Sequence, residues 1–190
     1  DQAKGKDLII KYVRGQNARS TTMKAYIYVE MESTDTTFKH IPVLPLAQVI
    51  RFKAVTTNPG TVNQPVSILS DGKLAQNYGP VFENEVLGGT YQIDLGQDVP
   101  VAQIRSFSFN QNGNRAKQRF TLVGISEKKV KEPVPIASVN TMAHPAGNYV
   151  ASRVQGTDNS GLGSFRWIAW VVQPVTDQQE NTAFQEFQVK

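Results

Sequence analysis

The chain has 190 residues, which is enough for one generous domain or one domain with an appendage. Cysteine is absent, which excludes a disulfide framework, a thiolate metal site and a cysteine nucleophile; two histidines, His40 and His144, argue against a multi-histidine zinc site. The net charge of +4 is spread along the sequence and reads as a solvated surface.

Hydrophobic residues make up 39% of the chain, so a full core can form. No apolar run approaches the roughly 18 residues of a membrane span, and no membrane insertion is expected. Residues 1–7 are polar and charged, so no intact signal peptide is expected there.

In chain order, residues 7–13 (DLIIKYV) and 24–30 (KAYIYVE) are rich in β-branched and aromatic residues. They predict a hairpin around the polar loop 14–22. Segment 34–45, with Pro42 and Pro45, is the weakest boundary in the chain. It suggests a division into an N-terminal hairpin extension, or the tail of a preceding domain, at 1–45 and a main sandwich at 46–190. The alternative is a hairpin that pairs with the sandwich. Residues 49–55 (VIRFKAV) alternate as a half-buried strand does, with a short helical turn possible around 47–52. Asn58-Pro59-Gly60, Asn63-Gln64-Pro65 and Ser70-Asp71-Gly72 are turn signals.

Residues 90–95 (TYQIDL) form the next strand, closed by Gly96-Gln97-Asp98. Gln103–Phe109 presents Ile104, Ser106 and Ser108 on one face and Arg105, Phe107 and Phe109 on the other. The polar loop 110–117 follows. Strands are predicted at 119–126, 136–139, 149–154, 165–172 and Phe184–Val189. Trp167 and Trp170 fall in an apolar strand and are expected in the core. No segment sustains a 3.6-residue period. Many short strands separated by Gly, Pro and Asn indicate an all-β chain, an antiparallel β-sandwich or barrel.

Tyr91-Gln92-Ile93-Asp94-Leu95-Gly96, then Pro100-Val101-Ala102-Gln103-Ile104-Arg105, resembles the strand pair of discoidin domains. These are also called coagulation factor 5/8 type C domains and are galactose-binding-domain-like jelly rolls. Asp71-Gly72, the strand Phe120-Thr121-Leu122-Val123-Gly124-Ile125-Ser126 and the closing run 183–189 (AFQEFQV) fit the same pattern. The resemblance covers 49–190. The run Phe109-Asn110-Gln111-Asn112-Gly113-Asn114-Arg115, with Gln118 and Phe120 after it, resembles a bacterial branch. Its members are accessory domains of larger secreted or cell-surface proteins. The resemblance implies a jelly roll that binds a polysaccharide or glycan through loops at one end, neighbouring domains in a larger chain and an extracellular or periplasmic location.

The segment 110–119 (NQNGNRAKQR) suits such a ligand. Amides both donate and accept, as sugar hydroxyls do, and Arg offers a planar fork of donors to a hydroxyl, carboxylate or sulfate. The resemblance points to Asn110, Asn112, Asn114 and Arg115. The same Asn-Gly supplies the positive backbone angles of a turn, and the amides can simply bond the backbone. Tyr78, Phe82 and Tyr149 lie in polar, looped sequence and are candidate ring platforms for a sugar face. Asp71 and Glu186 are the metal candidates, since the family holds a structural calcium with the Asp of Asp-Gly and a Glu near the C-terminus. Three residues beyond Asp71 the family has Asn or Asp, and this chain has Leu74.

No catalytic arrangement stands out. Glu83 and Glu85 read as alternate residues on one strand face, and neither a nucleophile elbow nor a P-loop is present. Arg115, Lys117, Arg119 and the basic run at 127–131 lack interleaved aromatic residues, and Glu127 and Glu132 flank that run, so no nucleic-acid partner is expected. The expected function is a non-catalytic glycan-binding module. The rival is a structural module that joins domains and binds no sugar.

Overall fold

Period-two alternation lets each strand bury one face, and two such faces packed together make a sandwich. The computed structural model describes residues 10–13, 26–56, 64–77, 79–83, 85–156 and 161–190; for 10–13, 26, 56 and 112 it describes the backbone alone. Among the described residues ten strands form: β1 (Ile10–Val13), β2 (Tyr26–Thr34), β3 (Lys53–Thr56), β4 (Gly89–Val101), β5 (Gln103–Phe109), β6 (Arg119–Ile125), β7 (Val134–Asn140), β8 (Tyr149–Gly156), β9 (Gly163–Val172) and β10 (Phe184–Val189). One sheet runs β1-β2-β8-β5-β10 and the other β3-β4-β9-β6-β7, with every pairing antiparallel. The only helical pieces among the described residues are four 3₁₀ turns. None is long and apolar enough to cross a membrane. This is the all-β antiparallel jelly-roll sandwich expected from the sequence.

The N-terminal hairpin is part of that sandwich. β2 pairs with β8 from Ile27↔Gly156 to Thr34↔Tyr149, and Ile27 and Val29 enter the main core. A division at 45/46 would therefore cut a sheet from its own strand. Segment 35–50 acts as a strap over the outer face of the first sheet. Its Phe38 and Ile41 cover Phe107, Tyr149 and Ala151 in a second apolar cluster. Glu32 fixes the strap by accepting the backbone N–H groups of Lys39, His40 and Ile41 at 2.6, 2.8 and 2.7 Å.

Large rings fill the space between the sheets. Trp170 stacks on Phe187 with centroids 4.1 Å apart, and Tyr91 stacks on Phe82 at 4.8 Å. Phe184 meets Tyr91 and Phe120 edge-on. Such pairs add about 0.5–1.5 kcal/mol each beyond area burial. Burial pushes the Tyr91 phenol far above its ordinary value, and its hydroxyl donates to the Pro80 carbonyl at 2.9 Å. That bond draws segment 79–82 across the open side of the sandwich. Gly79 is required there, because a Cβ would sit 1.6 Å from the Phe184 carbonyl oxygen. Trp167, expected in the core, lies instead on the outer face of its sheet, half-buried, with the Arg166 guanidinium 4.5 Å over its ring.

β4 runs on to Val101 instead of ending at Gly96-Gln97-Asp98. A bulge between Asp94 and Val99 absorbs those residues, with Gly96 at φ 86° and its N–H on Asp94 Oδ1 at 2.8 Å.

The serine face of β5 points inward and is paired rather than apolar. Buried Gln118 donates to the Ser106 carbonyl, Ser108 Oγ and the Val150 carbonyl at 3.0–3.1 Å, and accepts from Ser152 Oγ at 2.6 Å. Trp170 Nε1 donates to Ser106 Oγ at 2.9 Å. Leaving a buried polar group unpaired costs more than an average hydrogen bond contributes. Gln118→Leu is therefore expected to destabilise the fold by roughly 2–4 kcal/mol, read as a lower urea midpoint at unchanged m-value.

Candidate functional site

β5 ends at Phe109, and the chain turns through the 3₁₀ piece Gln111–Gly113, with Gly113 at φ 80°. The Gly113 N–H donates to the Asn110 carbonyl at 3.2 Å, and the Asn110 N–H to the Asn148 carbonyl at 2.7 Å. Asn-Gly thus does turn chemistry. The next two residues face inward. Arg115 is 4% exposed. Its guanidinium donates to Glu180 Oε1 at 3.3 Å and to the Asn181 carbonyl at 3.0 Å. Asn114 Nδ2 donates to the other oxygen of Glu180.

The expected sugar-facing set is therefore rearranged. Arg115 is committed beneath the surface to Glu180, so it does not present its fork to a ligand. Phe82 is 1% exposed and stacked on Tyr91, and Tyr149 is buried between Phe38 and Phe109; neither ring offers an open face. Asn110 stays half-buried at the tip. Tyr78 and the Asn112 side chain lie outside the described residues.

The same end of the sandwich holds a different concavity. Two turns approach one another there. At one, the Val86 N–H meets the Glu83 carbonyl at 3.3 Å; the other spans 176–179, with the Gln179 N–H on the Thr176 carbonyl at 3.1 Å. The Glu85 N–H reaches the Gln178 carbonyl at 3.4 Å, and Asn181 Nδ2 donates to the Val86 carbonyl at 3.1 Å. Between the turns lies a cleft of about 530 Å³ lined by Glu85, Leu87, Asp177, Gln178 and Gln179. That volume falls within the range of small-ligand sites. Leu87 is 75% exposed. Glu85 and Gln179 have φ of 67° and 59°, the only non-glycine residues in the left-handed region among those described. Such positions cost of order 1–3 kcal/mol and gather at functional sites. Gln179 Oε1 is buried without a hydrogen-bond partner.

Sequence reasoning missed this cleft. Glu83 and Glu85 were expected on one strand face, yet they lie in a turn. The available signals were the unbroken polar run 176–181 and a lone Leu87 ahead of Gly88-Gly89.

Asp71 and Glu186 come together near the β10 edge. Burial raises the Glu186 carboxyl to about 8, the Asp71 carboxylate adding to the shift against hydrogen bonds from the Gly72 backbone and Gln188. Glu186 is 1% exposed, and its Oε2 has no partner. A buried carboxylate with an orphan oxygen beside a second carboxylate fits a hard cation. Leu74 contributes no side-chain oxygen and packs against the strap cluster. Among the described residues no group of three or more acidic or histidine side chains forms, so backbone carbonyls would have to complete any shell. Other carboxylates are engaged elsewhere. Asp94 binds Arg166 at 3.1 Å and is held below its ordinary range by it, Asp98 accepts from Ser126 and the Glu127 N–H, and Glu30 pairs with Arg153.

No family model and no curated protein matches the chain. Solved structures do match. A family 32 carbohydrate-binding module of Clostridium perfringens NanJ, in complex with galactose, superposes with a TM-score of 0.55 at 16% identity, over 73% of this chain and 92% of that one. CpGH89CBM32-6 from Clostridium perfringens gives 0.53 at 17%, over 76% and 97%. The family 32 module of AlyQ, in complex with 4,5-unsaturated mannuronic acid, gives 0.51 at 14%, over 75% and 95%. At these identities the likeness is one of fold, and that fold is the discoidin, galactose-binding-like sandwich that the sequence resemblance implied.

Breaking a buried ion pair by removing one partner costs about 3–5 kcal/mol, whereas replacing both with apolar groups is near neutral. Arg115→Met is expected to lower stability by about that amount, and Arg115→Met with Glu180→Met to recover most of it, measured by chemical denaturation.

Proposed function

We propose that the chain is a non-catalytic carbohydrate-binding module that takes a glycan at the cleft between Glu85 and Leu87 on one side and the 176–179 turn on the other. The observation that carries this is the cleft itself. It is about 530 Å³, with the exposed Leu87 as an apolar wall and amides and carboxylates beside it. A sugar presents a C–H face and a ring of hydroxyls, and it needs that combination. The shared fold with modules solved in complex with galactose and with an unsaturated mannuronic acid supports the reading. The chemistry of such a module is adsorption. Modest affinity at one site is multiplied by tethering to a neighbouring domain in a secreted or cell-surface protein.

Glycan-array screening followed by calorimetry tests this. Leu87→Ala and Gln178→Ala are each expected to weaken binding of the best glycan about 5–30-fold, equivalent to about 1–2 kcal/mol, while Arg115→Ala acts through folding. If the wild-type chain binds no glycan at millimolar concentration, the reading falls and a domain-linking structural module stands in its place.

We also propose that Asp71 and Glu186 hold a structural Ca²⁺. The orphan Glu186 Oε2 beside Asp71 supports this, and the ion would replace the proton that burial keeps on the Glu186 carboxyl. After exhaustive chelation, calcium at about a hundredfold excess over Kd is expected to raise the melting temperature by roughly 5 °C or more. Glu186→Gln is expected to abolish that response. An unchanged melting temperature in the parent chain would sink the proposal.

A further inference from the structure

The cleft presents carboxylates and amides beside one apolar wall. Its two charged residues, Glu85 and Asp177, are both carboxylates and both exposed. Gln178 and Gln179 add amides, which both donate and accept. Among the described residues, no lysine or arginine lines the cleft. The cations on the neighbouring loop and strand are engaged with protein groups. Arg115 is held by Glu180 and the Asn181 carbonyl, Lys117 Nζ donates to the Met142 carbonyl at 2.8 Å, and Arg119 reaches the Pro174 carbonyl at 3.5 Å. An acidic cleft on a chain of net charge +4 is a local feature that runs against the charge of the whole.

A ligand for such a lining must bring donors, and a positive charge is favoured. An ammonium carries three N–H donors and one positive charge; a hydroxyl carries a single donor; an N-acetyl group exchanges the ammonium for one N–H and a carbonyl acceptor. A uronate or sulfate brings further negative charge towards two carboxylates, and like charges repel, most strongly at low salt.

Resting on the glycan-binding reading above, we propose that this cleft selects sugars with a free amino group, units of a partly deacetylated hexosamine polymer, and refuses uronate- and sulfate-bearing glycans. Glu85 and Asp177 set that selectivity by charge, and Leu87 supplies affinity without regard to charge.

The experiment measures calorimetric binding of the intact chain to three oligosaccharide sets of equal length: glucosamine oligomers, their fully N-acetylated counterparts and oligouronates. Measurements at low and at about 0.5 M salt are compared. The glucosamine oligomers are expected to bind at least tenfold more tightly than the acetylated set at low salt, with the gap narrowing at high salt. The oligouronates are expected to bind most weakly. Non-specific attraction to a chain of net charge +4 predicts the opposite order, so the ranking separates the two. Glu85→Gln combined with Asp177→Asn is expected to shrink the amine preference to within about twofold, with melting curves confirming that the variant is folded. Leu87→Ala is expected to weaken the glucosamine and acetylated sets alike. Equal or tighter binding of the acetylated or uronate set, or a preference that survives the double substitution, overturns the selectivity and leaves glycan binding standing. Binding of none of the three sets by a chain that also binds nothing on the array overturns both.

Discussion

The buried pair between Arg115 and Glu180 decides how one end of this sandwich is built. It joins the loop leaving β5 to the loop entering β10. Around it the Ala183 N–H bonds the Arg115 carbonyl at 2.9 Å, and Thr182 Oγ1 bonds the Lys117 carbonyl at 2.7 Å. A guanidinium so placed cannot also face solvent. With Arg115 and Asn114 turned inward, the tip of the β5–β6 loop becomes a support. Through Glu180 it also anchors the neighbouring 176–179 turn, where the Glu180 N–H bonds Thr176 Oγ1 at 3.0 Å. Buried ion pairs contribute little net stability, but removing one partner is expensive. The pair is best understood as fixing which loop lies where.

A similar exchange of roles runs along β10. Its bulge between Phe184 and Glu186 keeps Phe184, Phe187 and Val189 in the core while turning Gln185 and Glu186 towards the strand's free edge. Gln185 binds the backbone of Ala75 and Asn77, and Gln188 binds both backbone groups of Leu44. The edge strand is thereby covered by two irregular segments through its side chains, and it is not left as a template for another chain. The same bulge carries Glu186 to Asp71.

The strands were legible because alternation is a local property. Gln103–Phe109 and Phe184–Val189 have the bounds that their sequences suggest, and the two faces of β5 separate as the pattern requires. Pattern could not say that the serine face points into the core, because a serine there depends on Gln118, ten or more residues away, to pair it. Nor could it show that Phe82 and Tyr149, in polar surroundings along the chain, are covered from afar by Tyr91 and by the strap residue Phe38. The cleft was hidden for the same reason. Glu85 and Gln178 are far apart in sequence and meet only when the sheets close. Sequence composition revealed polar loops at one end; which of them is open is a tertiary fact.

That openness is accompanied by strain. Among the described residues, both non-glycine left-handed positions, Glu85 and Gln179, line the cleft. Buried acceptors without donors gather nearby, at Gln179 Oε1, Asn181 Oδ1 and Asn114 Oδ1. Folding alone offers no return for either feature, since glycine would relieve the first and an apolar side chain the second. Both are tolerated because the Arg115–Glu180 clamp and the rings beneath Tyr91 hold the backbone firmly on either side. A rigid sandwich can carry a strained, under-satisfied rim. The stability of the core and the chemistry of the cleft are thus two ends of one arrangement.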